Sequence, residues 1–159
     1  GEYYIGDLCY VLEDKDYKTY FNLCFPTAGN KNPGIPARVY EKYNYICLEG
    51  VMDLRVEKDD FLRIASFGTA HGDGVYSVRL SHSENRVGRC GVDSGAIGCV
   101  LLEKISDEKR KALKFGYTRK FKKPFRIKWE VSGGVIAFED DENHGVYLET
   151  GDEKWIRKY

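Results

Sequence analysis

The sequence predicts a β-rich α+β domain, built on a curved antiparallel sheet or partial β-barrel with two short helices. Three observations carry this. Aromatic and aliphatic residues alternate at period two in many short runs, those runs are punctuated by Gly, Asp, Asn and Ser turn clusters, and only two segments show helical spacing. At 159 residues, with 42% hydrophobic and 14% aromatic residues, the chain suits one globular domain over 1–159 and excludes disorder.

Taken in order, Tyr3 to Leu12 alternates around a Gly6-Asp7 break, which suits two short strands or one bulged strand. Tyr17, Tyr20, Phe21 and Cys24 fall on one helical face, so Asp16 to Phe25 is expected as an amphipathic helix capped by Asp14 or Asp16. Pro26 to Pro36 holds three prolines and two glycines and reads as a loop. β-Branched and aromatic enrichment favours a strand over Arg38 to Glu49. Further strands follow at Leu54 to Val56, Phe61 to Phe67, Val75 to Leu80, Val87 to Val92 and Ile97 to Glu103, with turns at Glu57 to Asp60 and Ser81 to Asn85. Ser106, Asp107 and Glu108 open a second helix that Gly116 closes after Phe115. Phe121 to Val131, Val135 to Glu139 and Val146 to Glu149 complete the strands, the last two joined by the turn Asp140 to Gly145.

Five cysteines, at 9, 24, 47, 90 and 99, are odd in number and widely spaced, with no CxxC. They read as reduced, buried apolar side chains of an intracellular protein rather than as a disulfide framework or zinc site. No run approaches the ~20 apolar residues of a membrane helix, and the N-terminus lacks signal-peptide order, so a cytoplasmic location is expected.

Formal net charge is zero, yet Lys109 to Lys128 contains ten basic residues and no acidic one. That leaves fifteen basic residues against all twenty-five acidic ones elsewhere, an asymmetry that points to an anionic partner. Strand alternation in FKKPFRIKWE places Phe121, Lys123, Phe125, Ile127 and Trp129 on one face and Lys122, Pro124, Arg126, Lys128 and Glu130 on the other. One reading is an edge strand protected by lysines and Pro124. The other is an anion-binding strip, in which Arg126 forks onto a phosphate, Lys120, Lys122 and Lys128 add point charges, and an exposed Tyr117 stacks a base. The acidic remainder of the chain disfavours a nucleic-acid duplex, so a compact anion such as a nucleotide is the better fit.

Between Ser66 and Leu102 lie two glycine-punctuated polar clusters, which hold Thr69, His71, Asp73, Asp93 and Ser94 in tight turns. These are ligand-binding candidates, although Asp-Gly and Asp-Ser-Gly are also common turn chemistry. If Asp7, Asp73 and Asp93 converge, they offer oxygen ligands to a hard divalent cation with His71 as a base. No EF-hand, HExxH, P-loop or GxSxG pattern accompanies them, and Ser94 has no local partner that would make it a nucleophile.

The segments YIGDLCYVL (Tyr4 to Leu12), FGTAHGDGVY (Phe67 to Tyr76) and GVDSGAIGCV (Gly91 to Val100) resemble, in order, the signature of a family of small uncharacterised proteins of bacteria and their phages. There the corresponding segments read GDxCYV, a GDG turn and VDAGxIG. Ser94 stands where alanine is usual, and His71 where an aromatic is common. The resemblance implies a shared fold and a microbial or viral source, but no reaction. The leading expectation is therefore a non-enzymatic protein that binds a small anionic ligand, a nucleotide in particular, and requires no cofactor. The setting implied by the resemblance is a phage counter-defence sponge. Two alternatives stand beside it: a metal-assisted phosphoesterase, and a structural or interaction domain that self-associates or docks an acidic partner.

Overall fold

The computed structural model describes residues 1–24, 37–39, 50–57, 60–130 and 134–151. Within them the β-rich α+β class is realised as two antiparallel sheets. The strands are β1 (Glu2–Gly6), β2 (Ala37–Val39), β3 (Gly50–Glu57), β4 (Asp60–Gly68), β5 (Gly74–Leu80), β6 (Arg86–Val92), β7 (Ala96–Leu101), β8 (Tyr117–Lys120), β9 (Phe125–Glu130), β10 (Val135–Asp140) and β11 (Gly145–Glu149). The first sheet runs β2-β3-β4-β7-β1-β8 and the second β6-β5-β11-β10-β9.

Period-two patterning decides which side chains meet. In β4, Ala65 and Phe67 face the second sheet, and with Ile5, Ile97 and Cys99 they pack against Tyr76, Val78, Ile136, Phe138, Val146 and Leu148. The intervening residues Leu62 and Ile64 face the other way, joining Tyr4, Leu54 and Val100 in a second core. That core is closed by Leu8, Val11 and Leu12 and by Tyr20 of the helix α1 (Asp14–Cys24). Both faces of the first sheet are thus buried over its centre, which is why β1, β4 and β7 read as nearly continuous apolar runs.

The helix expected at Asp16 to Phe25 starts two residues earlier, with the amides of Asp16 and Tyr17 donating to the Glu13 carbonyl. The second expected helix is a 3₁₀ segment, Lys109–Phe115, preceded by turn residues. Ser106 does lie at its entry, since its carbonyl accepts from the Lys109 and Arg110 amides. The segment itself holds no acidic residue, and Arg110 reaches back to Asp107, three residues earlier, at 3.7 Å. The expected strand over Phe121 to Val131 also differs: β8 ends at Lys120, residues 121–124 form a corner at Pro124, and β9 begins at Phe125. After β1, the chain continues not as a second strand but as a 3₁₀ turn, Leu8–Tyr10. The loop expected at Pro26 to Pro36, and most of the strand expected at Arg38 to Glu49, lie outside the described residues. Among the described residues no helix is long and apolar enough to cross a membrane.

The two flanks of the sheet pair differ. On one, β6 lies against β8: Tyr117 Cδ2 would sit 2.9 Å from a Cβ at Gly88, and the Cys90 thiol donates to the Ile5 carbonyl at 3.2 Å. On the other, β9 crosses the first sheet. Phe125 contacts Tyr3 of β1, with ring centroids 4.8 Å apart, and Trp129 contacts Phe67 of β4 at 5.6 Å, although β7 separates those two strands. Crossing rather than alignment leaves part of the inner face of the first sheet uncovered beside β9.

Candidate functional site

Two places gather the polar residues singled out by the sequence, one at each end of β9. The glycine-rich turns converge at the Trp129 end, where the indole N–H donates to the Gly68 carbonyl at 3.2 Å. There Thr69 joins two turns: its amide donates to the Gly95 carbonyl at 3.0 Å, and its hydroxyl to the Gly72 carbonyl at 2.6 Å. Gly72 (φ +73) and Gly95 (φ +75) occupy the left-handed region, so glycine at these positions is a requirement of the turns. The Ala70 amide donates to Thr150 Oγ1, and the Tyr76 hydroxyl donates to the Gly72 carbonyl.

Asp7 fastens this end from inside. Its side chain is fully buried, and its two oxygens accept four hydrogen bonds: Oδ1 from the Cys9 amide (2.9 Å) and the Ser94 hydroxyl (2.6 Å), Oδ2 from the Asp93 amide (2.7 Å) and the Ser94 amide (2.6 Å). A carboxylate so engaged has no oxygen to offer a cation without losing bonds. Asp93 is exposed and accepts from the Tyr10 hydroxyl, and burial, reinforced by Asp93, pushes that phenol up. Asp73 and His71 are exposed on the neighbouring turn. The turns therefore meet, as the metal alternative required, but Asp7 faces inward and is saturated while Asp73 faces out. Among the described residues no group of three or more His, Cys, Asp or Glu side chains is arranged to hold a metal ion. Ser94 is a donor to Asp7 and has no histidine partner, which leaves it a structural hydroxyl.

The second place is a cleft of about 780 Å³ at the Phe125 end, on the uncovered face of the first sheet. The lining runs along β9 from Phe125 to Ile127 and reaches Phe67 of β4, two residues before Thr69, on the side facing the turns. Its floor is aromatic. Phe121 stacks on Phe125 with centroids 4.1 Å apart and planes 20° apart, and Tyr3 meets Phe125 edge-on. Its rim carries Arg63, Lys122, Lys123 and Arg126. Two of these cations are held by the turn between β10 and β11: Lys123 Nζ lies 2.5 Å from Glu142 Oε1, and Arg126 Nη2 lies 2.7 Å from Asp141 Oδ1. Glu142 holds the Lys123 ammonium above its usual range and is itself held below the usual carboxylate range.

Of the basic strip, Lys122 and Arg126 come together at this cleft. Lys120 ends β8 opposite Glu2, and Lys128 lies on the outer face of the second sheet, 3.4 Å from Glu139 and 3.1 Å from Asn143. Tyr117 is half-buried in the packing between the sheets, so it lacks the exposed face that stacking on a base needs. Sequence reasoning missed Tyr3, Phe121, Phe125, Arg63 and Lys123 as lining residues. The signal was Pro124: it ends strand alternation and moves Lys123 from the apolar face, where period two placed it, to the rim. The Cys99 thiol at the base of the cleft is pushed up to about 12 by burial, as is that of Cys90, so neither is a reactive thiolate. Cys9 is half-buried and also raised, by burial and by Asp7; the Cys24 side chain and Cys47 lie outside the described residues. Comparison of the chain with protein-family models, with curated proteins and with solved structures finds no match.

Proposed function

We propose that this chain is a non-enzymatic binding protein for a small anionic ligand bearing a planar ring, with a nucleotide as the fitting chemistry, and that the ligand lodges in the cleft beside β9. The observation that carries this is the combination, in one 780 Å³ cleft, of a stacked aromatic floor and a rim of four cationic side chains. The volume falls within the roughly 300–1,000 Å³ of small-molecule sites. Tyr3 and Phe125 supply an aromatic surface on which a base can stack, worth about 1 to 3 kcal/mol per base. Arg126, Lys122 and Lys123 supply charge-assisted donors for phosphate oxygens. The described lining holds no carboxylate and no histidine, and this supports binding over acid–base chemistry. The resemblance to phage-encoded proteins supports a setting in which the ligand is a host signalling nucleotide held out of circulation.

A thermal-shift screen of linear and cyclic nucleotides tests the reading. A ligand that binds only the native state at about a hundred times its Kd adds about 2.7 kcal/mol, so a clear rise in melting midpoint is expected with at least one nucleotide. Arg126→Lys is expected to weaken that ligand by about 1 to 3 kcal/mol, because an ammonium does not reproduce the guanidinium fork. It should leave the ligand-free midpoint nearly unchanged, since the Arg126 pair with Asp141 is exposed. No shift across the panel, or equal affinities for wild type and variant, counts against the cleft.

A further inference from the structure

We propose that the turn between β10 and β11 is a tethered competitor for the ligand of this cleft, and that it sets how many phosphate groups a ligand needs in order to bind. The inference rests on reading the cleft as an anion site and adds what regulates it.

The adjacent acids Asp141 and Glu142 engage Arg126 and Lys123, two of the four cations on the rim. Pairing between β9 and β10 puts the turn there: Phe125 registers with Asp140 and Arg126 with Glu139, so the turn rises beside the N-terminal end of β9 where the cleft opens. The turn is also pre-formed. Asp140 Oδ1 accepts from the amides of Glu142 and His144, both at 2.9 Å, and Asn143 sits at φ +60, a conformation that asparagine tolerates. Its two carboxylates are thus held out toward the rim by the backbone, and the cations come to them.

In effect the turn presents two negative charges to the cations that a bound phosphate chain would need. Each pair is more than half exposed, hence individually weak and displaceable. A ligand with one phosphate group takes the place of one carboxylate and gains little. A ligand with two or more phosphate groups replaces both carboxylates at once and also reaches Lys122, which has no ion pair among the described residues. The turn thereby filters by the number of phosphate groups: it leaves nucleoside di- and triphosphates bound and keeps monophosphates off.

Calorimetric titration of AMP, ADP and ATP into wild type and the Asp141→Asn/Glu142→Gln variant, at fixed ionic strength, tests this. Wild type is expected to bind ATP at least tenfold more tightly than AMP. The variant is expected to bind AMP at least fivefold more tightly than wild type does, and ATP by at least the same factor, because ATP displaces both carboxylates. A control, Asp107→Asn/Glu108→Gln, makes the same change in net charge at exposed residues beside the second core, and is expected to leave all three affinities unchanged. If ATP binds wild type and variant alike, or if the control raises affinity as much as the turn variant does, the competitor is overturned while the cleft reading stands. If none of the three nucleotides binds either protein, the cleft reading fails and the competitor falls with it.

Discussion

Replacing Asp7 with alanine is expected to cost about 3 to 5 kcal/mol of folding stability, the range for breaking a buried, fully hydrogen-bonded charge. The substitution strips acceptors from four donors at once: the amides of Cys9, Asp93 and Ser94 and the hydroxyl of Ser94. Each donor left unsatisfied out of water costs about 1 to 3 kcal/mol, and the turn relaxes enough to recover only some of this. Asp7→Asn keeps the shape but turns an amide NH₂ toward N–H groups on one side, so it too should destabilise. Chemical denaturation of the three proteins reads the difference, and a loss below about 1 kcal/mol would show that Asp7 does not hold the turns together.

Gly98→Ala should cost about 3 kcal/mol or more, at the upper end of what overpacking does. Gly98 lies in β7, paired with Ser66 of β4 on one side and Gly6 of β1 on the other. A Cβ there would clash with the Ala65 carbonyl oxygen and meet the Leu8 side chain at 2.9 Å. The closest of these contacts is laddered backbone at the centre of the first sheet, which has no direction in which to give way. At roughly 2 to 4 °C per kcal/mol for a chain of this size, the melting midpoint should fall by about 6 to 12 °C. Gly72→Ala provides the contrast. Its Cβ meets nothing within 4 Å, so only the cost of φ +73 remains, about 1 to 2 kcal/mol. Equal losses at the two positions would mean that the close approach at Gly98 is not what demands glycine.

Local pattern sufficed where one sheet face is buried. The alternation of Val75 to Leu80, Val87 to Val92 and Val135 to Glu139 places β5, β6 and β10 within a residue or two of their observed bounds. It failed where contacts distant in sequence decide. Asp7 reads as a strand-end carboxylate open to a ligand, and three of its four donors come from residues 93 and 94, more than eighty positions away. The basic strand reads as unopposed because the counter-charges of Lys123, Arg126 and Lys128 lie beyond it, at Glu142, Asp141 and Glu139, and come alongside only once the hairpin between β9 and β10 has formed. Ser106 and Gly116 mark the ends of the second helical segment, yet caps do not choose between α and 3₁₀ geometry. The carbonyl of Leu102 takes the Arg110 guanidinium, and Leu113 packs into the second core, so tertiary contacts override propensity there.

Amide chemical-shift mapping with saturating ATP tests most directly where the ligand sits. The cleft reading predicts perturbations centred on Tyr3, Arg63 and Phe121 to Arg126, with Thr69 to Asp73 and Asp93 to Gly95 unmoved. Perturbations centred instead on those glycine-rich turns, or none at saturation, would contradict it.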